Sequence, residues 1–206
     1  MFDLTTEDLR RNILGCADGP ASFNAEMFQQ GRRVVSCDPL YRFTHEQIQL
    51  RIEQTYNTVI TQTRDHQHQF VWNVIRSVED LGRTRLAAMK TFLADYEDGK
   101  AQGRYVVGEL PGLPFGTKVF DIALSSHFLF FYGDLLSLEF HENAVDELCR
   151  VARDVRIFPL LTYNAEPSPL VMPIVQHIEK TGRTASVRKV PYEFQRGGNM
   201  MLEISG

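Results

Sequence analysis

The chain has 206 residues, enough for one domain with a sizeable core and too few for a second independent domain of ordinary size. Hydrophobic residues make up 43% and charged residues 23%, the balance of a globular protein and not of a disordered one. A formal charge of −4 supplies no overall basic field for gripping phosphate backbones, which disfavours nucleic acid as a partner.

No run approaches the eighteen or so apolar residues of a membrane span, and the first residues lack a basic region followed by an apolar one, so a cytoplasmic protein is expected. Cys16, Cys37 and Cys149 form no CxxC pair. They read as reduced thiols, with neither a disulfide framework nor a metal cage expected.

In chain order, Asn12 to Pro20 is a short apolar run ending in a glycine-containing turn, a strand entering a loop. Pro20 suits a first helical position, Phe23 and Met27 lie one turn apart, and Gly31 falls where a left-handed cap is wanted, predicting a helix over about 20 to 30. Val34 to Cys37 is a second strand before Asp38-Pro39. Strand, helix, strand implies a parallel pair with a right-handed crossover.

From Thr44 to Gly103 the periodicity becomes helical. Ile48, Ile52, Tyr56 and Val59 define one segment, Phe70, Val74 and Val78 a second, and Leu86, Met89, Leu93 and Tyr96 a third. This stretch is a helical insert of three segments, each with one apolar stripe to bury. His66 and His68, two apart on a helix, would face apart and make a poor metal pair. Arg83, Arg85 and Lys90 read as a solvated helix face.

Strands resume at Tyr105 to Val107, Phe120 to Ser126 and Val155 to Leu161. Helices alternate with them through Val145, Leu148, Cys149 and Ala152, and through Leu170, Ile174, Val175 and Ile178, the second opened by Ser168-Pro169 and closed by Gly182. Ala185 to Phe194 and Met200 to Ser205 are strand-like runs joined by Gln195 to Asn199, a hairpin. The expected fold is α/β, a single domain over residues 1–206 with the insert 44–103 inside it.

A glycine turn after the first strand lets backbone approach a ligand, and an acid ending the second can accept both hydroxyls of a ribose. Gly15 to Gly19 and Asp38 have the roughly twenty-residue spacing of one βαβ step, which favours a nucleoside-containing cofactor. A tight turn beside a surface aspartate would look the same.

Further matches bring the chain to a resemblance. Leu14-Gly15-Cys16-Ala17-Asp18-Gly19, Val35-Ser36-Cys37-Asp38-Pro39, Val107-Gly108-Glu109-Leu110, Leu113-Pro114-Phe115, Phe120 to Ser126 and the closing hairpin resemble, in order and spacing, the class I S-adenosylmethionine-dependent methyltransferases. The likeness covers about residues 10 to 43 and 104 to 206, and within that family it looks most like uncharacterised bacterial members. It implies a Rossmann-like seven-stranded, mostly parallel sheet with an antiparallel C-terminal hairpin, and S-adenosylmethionine as cofactor.

Residue by residue, the resemblance implies Gly15, Ala17 and Gly19 beneath the methionine and ribose, and Asp38 on the ribose hydroxyls. Pro39 and Leu40 would line one side of the adenine, with Glu109 or the Leu110 backbone at its polar edge. Ser125, Ser126 and His127 would stand near the methionine end. The family's acid two residues before the first glycine is Ile13 here, and the middle glycine is Ala17. Asp18, inside the loop, is the candidate replacement for the missing charge.

Asn-Pro-Pro-Tyr, a signature of many relatives that methylate nucleic-acid and protein nitrogen, is absent after the fourth strand, where Ser125 to Tyr132 stands. A small-molecule acceptor is therefore expected. His127 is the best-placed base there, although a hydrogen-bonded histidine in an apolar wall fits the sequence better, and no catalytic residue is assigned. Trp72, Phe128, Phe130, Phe131 and Tyr132 either wall an aromatic pocket or belong to the core. Only about eleven residues precede Asn12, too few for an N-terminal cover, so the insert 44–103 is expected to close over the acceptor. The competing functions are an S-adenosylmethionine-binding module without turnover and, more remotely, a nicotinamide-dependent oxidoreductase, against which Pro20 stands in place of the last glycine of G-x-G-x-x-G.

Overall fold

The computed structural model describes all 206 residues. In chain order the elements are β1 (Ile13–Cys16), α1 (Phe23–Gln29), β2 (Val34–Cys37), α2 (His45–Asp65), α3 (Val78–Ala101), β3 (Tyr105–Val106), β4 (Phe120–Ser126), α4 (Leu138–Val151), β5 (Ala152–Phe158), α5 (Val171–Lys180), β6 (Thr184–Lys189) and β7 (Met200–Ser205). One seven-stranded sheet runs β3-β2-β1-β4-β5-β7-β6. The first five strands of that order are parallel, and β7 is antiparallel to both its neighbours. This is a Rossmann-like, mostly parallel sheet with an antiparallel C-terminal hairpin. No helix is long and apolar enough to cross a membrane.

The central strands are short apolar runs because both faces are covered. Successive residues alternate between the faces: Ile13, Ile122 and Leu124 cluster with Met27 of α1, while Leu14 and Ala123 join Val145, Leu148 and Ile174 of α4 and α5. Helix α1 begins at Phe23, three residues later than the sequence predicts. The Gly19 N–H is held by Asp38 and its carbonyl by the Tyr41 hydroxyl, which keeps the loop open through Pro20. Its end is as expected: Gly31 takes φ +70°, and Arg32 N–H donates to the Met27 carbonyl at 2.9 Å, closing a left-handed cap.

The insert contains two helices, not three. α2 opens on a capping box, with Gln47 N–H donating to Thr44 Oγ1 at 3.3 Å and Thr44 N–H to Gln47 Oε1 at 3.0 Å; α3 opens on Ser77, whose Oγ accepts from Asp80 N–H at 3.1 Å. The two pack as an antiparallel pair. Ile48 meets Phe92 and Tyr96 at the base, a Cβ on Gly82 would overlap the Tyr56 hydroxyl further out, and Arg64 pairs with Glu79 at 3.0 Å near the tip.

The segment Phe70 to Ser77, expected as a helix, is irregular. Its apolar residues bind another part of the chain: Val71 N–H donates to the Phe194 carbonyl at 2.7 Å, and Arg196 N–H to the Gln69 carbonyl at 2.8 Å. Phe70 stacks on Phe194 with ring centroids 4.9 Å apart, and Trp72 meets Phe194 edge-on at 5.5 Å. Val74, assigned to an apolar stripe by its spacing, is 90% exposed. The helix also ends before His66 and His68, whose rings lie 6.4 Å apart, so helical facing does not separate them.

These contacts carry the insert across the sheet. It leaves beyond the carboxyl end of β2 and is clasped at its tip by the β6–β7 loop, five strand positions away. Five inter-strand steps span about 24 Å. The 21 residues of α2 span about 32 Å at 1.5 Å per residue, enough for the crossing.

Further along, β5 occupies Ala152–Phe158 where Val155 to Leu161 is expected; Pro159 has no N–H to continue the ladder, and Ala152 pairs with Phe120. Strand β6 stops at Lys189 and not Phe194, because residues 190–199 form the loop that receives the insert.

Candidate functional site

Four parallel strands end side by side at a cleft of about 670 Å³. It lies where β1 stands between β2 on one side and β4 on the other, the place where chain connections diverge and ligands of open α/β sheets bind. Cys16 to Gly19 follow β1, Asp38 and Pro39 follow β2, Gly108 to Leu110 follow β3, and Ser126 to Phe128 follow β4. Tyr132 and Phe140 complete the wall.

The loop after β1 is shaped by two positive φ angles, +58° at Ala17 and +56° at Gly19. Asp38 ties it to the loop after β2: one carboxylate oxygen accepts from Gly19 N–H at 2.9 Å, the other from Leu40 N–H at 2.7 Å. The second bond makes Asp38 the cap of the 3₁₀ turn Pro39–Arg42. Each oxygen keeps a lone pair for a further donor. Burial raises the Asp38 carboxyl above its usual range, against the two backbone donors that lower it.

Asp18 turns inward. Its carboxylate accepts from the Ser36 hydroxyl at 2.6 Å, and a Cβ on Gly15 would overlap it. Gly15 is thus a glycine because the Asp18 carboxylate packs over its Cα. Burial pushes Asp18 up to about 6, with Ser36 lowering it and Asp38 adding to the rise. Neither Asp18 nor Asp38 has a cationic partner. The neighbouring Cys16 and Cys37 thiols are free, and burial first and these carboxylates second push the Cys37 thiol up to about 12.

At the β4 end, His127 adopts φ +52°, a conformation rare for a side chain of this size. Its backbone N–H donates to the Phe158 carbonyl at 2.7 Å, and Nδ1 lies 2.8 Å from Ser126 Oγ. Burial, with Arg85 as the next contributor, lowers His127 to about 4. The ring is neutral at physiological pH, able to accept a hydrogen bond and poor at removing a proton outright.

The structure brings nine of the residues expected from sequence to this cleft. Ala17, Asp18 and Gly19 come from the first loop, Asp38 and Pro39 from the second, Glu109 and Leu110 from the third, and Ser126 and His127 from the fourth. Three stand away from it. Gly15 is covered by Asp18. Leu40 packs on the Tyr41, Ile48 and Phe92 cluster. Ser125 is wholly buried within β4, its hydroxyl without a partner. Sequence reasoning missed Gly108, where a Cβ would lie 2.7 Å from Cys37 Sγ and 2.8 Å from Pro114 Cδ; its place right after a strand paired with β2 was the available signal. It also missed Phe140, on a helix whose register over the cleft no local pattern reveals.

No protein-family model matches the chain. It is 32% identical over 205 residues to the uncharacterised protein MJ0045 of Methanocaldococcus jannaschii, covering 99% of this chain and 90% of the relative. The chain belongs to the family of that protein. The relative is archaeal, so the bacterial part of the resemblance finds no support. Among solved structures, a TehB-like S-adenosylmethionine-dependent methyltransferase from Corynebacterium glutamicum is similar at 15% identity and a TM-score of 0.49, over 95% of this chain and 80% of that one. The magnesium protoporphyrin IX methyltransferase of Synechocystis, with bound S-adenosylmethionine, is similar at 10% identity and a TM-score of 0.46, over 94% and 69%.

Proposed function

We propose that the chain is an S-adenosylmethionine-dependent methyltransferase acting on a small molecule. The observation that carries this reading is the pair of carboxylates, Asp18 and Asp38, facing one cleft at the carboxyl edge of the sheet with no cation beside either. A buried acid without a positive partner is costly, and a ligand bearing an ammonium group and a ribose answers both acids at once. In this fit Asp38 offers its free lone pairs to the ribose hydroxyls, Asp18 meets the ammonium in place of the acid absent at Ile13, and Pro39, Glu109 and Leu110 bound the adenine. The Ala17 to Gly19 backbone lies beneath the chain joining them.

When bound, the cofactor would supply an electrophilic methyl carbon to a lone pair of the acceptor, with the carbon–sulfur electrons returning to sulfur and the acceptor's proton passing to solvent. Most of the work left to the chain is placement. Ser126 and His127 stand at the end of β4, where the neutral His127 ring accepts a hydrogen bond at Nε2 in the tautomer whose Nδ1–H donates to Ser126 Oγ. The α2–α3 pair spans the strand ends and serves as the acceptor's cover. Thermal unfolding with S-adenosylmethionine, S-adenosylhomocysteine and NAD tests the assignment. The first two should raise the midpoint and NAD should not. Stabilisation by NAD alone overturns it in favour of a nicotinamide enzyme. Binding without methyl transfer to any acceptor would favour the module without turnover, which the weak basicity of His127 also suits.

A further inference from the structure

A second cavity, of about 590 Å³, opens at the other edge of the sheet, where Ile13, Val34 and Phe120 begin β1, β2 and β4. The length of β1, about 10 Å at 3.3 Å per residue, separates it from the cleft that holds Asp18 and Asp38. The last turn of α1 and the residues after α3 form its sides.

Its charge is one-sided. Arg32, Arg33 and Arg104 line it and no acid does, in a chain whose formal charge is −4. Arg104 is already engaged: it is buried, Asp95 accepts from Nη1 and Nη2 at 2.6 and 2.7 Å, Asn24 Oδ1 from Nη1 at 2.8 Å, and Gln102 Oε1 from Nε at 2.9 Å. The same guanidinium lies 4.0 Å from the centre of the Phe28 ring, which holds that ring in place as a wall. Where Arg104 has Asp95, Arg32 and Arg33 have neither an ion pair nor a side-chain hydrogen bond. Nor does α1 need them as caps, since its Met27 and Phe28 carbonyls accept from the Gln30, Gly31 and Arg32 N–H groups at 2.9 to 3.1 Å. Phe28 and Val119, 45% and 53% exposed, leave apolar surface in the same cavity.

We propose that this cavity is a second ligand site, and that it takes a small phosphate monoester with an apolar body; the inference stands apart from the methyltransferase reading. A carboxylate carries one charge and fills one guanidinium fork, whereas a phosphate monoester carries nearly two charges on three oxygens and answers two. The body of the ligand lies against Phe28 and Val119. The acids of the first cleft turn a phosphate away and the free arginines of the second turn a cation away, so the two cavities sort ligands by sign.

The test is calorimetric titration at pH 7.5 with phenyl phosphate, benzoate and inorganic phosphate. Phenyl phosphate should bind about tenfold or more tightly than benzoate, which has one charge fewer, and than inorganic phosphate, which has no apolar body. Arg32→Gln and Arg33→Gln should each weaken phenyl phosphate about tenfold, the value of one charge-assisted bond at an open side chain. Val119→Trp, which fills the cavity without touching its charge, should weaken it as well, with unchanged thermal midpoints confirming that all three variants are folded. No binding of phenyl phosphate, or binding that survives both arginine substitutions, overturns the site. Benzoate as tight as phenyl phosphate overturns the phosphate class, and inorganic phosphate as tight overturns the apolar body. A short single-stranded oligonucleotide that binds more tightly than phenyl phosphate, and loses its affinity in the same arginine variants, overturns the small-molecule assignment in favour of nucleic acid.

Discussion

Replacing Asp18 with asparagine should stabilise the empty protein and weaken its hold on the cofactor. In the folded chain burial raises this carboxyl from 3.8 to about 6. Between those two values the folded state holds more proton than the unfolded state, so stability falls as pH rises through that window and remains reduced above it. The shift of roughly two units corresponds to about 3 kcal/mol at 1.36 kcal/mol per unit. Solvent reaching this half-buried group reduces the penalty to about 1–2 kcal/mol. An asparagine oxygen still accepts the Ser36 hydroxyl, so Asp18→Asn removes the charge and keeps the bond. Urea unfolding at pH 7.5 should show the variant more stable by that amount, and at pH 4, where the wild-type group is protonated, the two should converge. Over the same interval wild-type affinity for S-adenosylmethionine should strengthen as pH rises through about 6, because the ammonium needs the ionised acid, while the variant should bind weakly throughout. Equal urea midpoints at pH 7.5 would refute the claim that this carboxylate is held at a cost.

Asp38→Asn has one acceptor oxygen where two backbone N–H groups now find two, and calorimetry should show a ten- to hundredfold weaker S-adenosylmethionine Kd, about the value of one charge-assisted bond; an unchanged Kd in a folded variant removes Asp38 from the ligand site. Tyr96→Phe deprives the Tyr41 and Phe43 carbonyls of the hydroxyl that donates to them at 3.0 and 2.8 Å, and denaturant unfolding should register a loss of about 1–3 kcal/mol. Phe194→Ala removes the ring on which Phe70 and Trp72 rest. Amide exchange over residues 66–77 should accelerate about tenfold while exchange in β4 and β5 stays as it was.

The opening strand, helix and strand were legible because a short apolar run, a glycine turn and an acid twenty residues apart admit few topologies, and the tail hairpin because Gly197 and Gly198 punctuate two strand-like runs. The middle of the insert was not. Phe70, Val74 and Val78 satisfy a helical spacing, yet Phe70 is apolar to meet Phe194, a residue 124 positions away whose proximity no local window contains. Asp18 could be named as a spare acid from sequence, but its inward turn depends on Ser36 of the next strand and on the space over Gly15.

The clasp between Val71 and Phe194 makes the insert a gauge of the sheet's width. An arm fixed at both ends, beyond β2 and at the β6–β7 loop, can change length only in step with the distance it covers. Deleting one turn from α2 would shorten it by about 5.4 Å, more than one strand spacing, and rotate neither end out of phase by much. The tip would then fall one strand short of its anchor. Side chains along the arm, by contrast, can be exchanged without altering either anchorage, so α2 and α3 are free to diverge in sequence along their length while the loops holding Asp18 and Asp38 stay as they are.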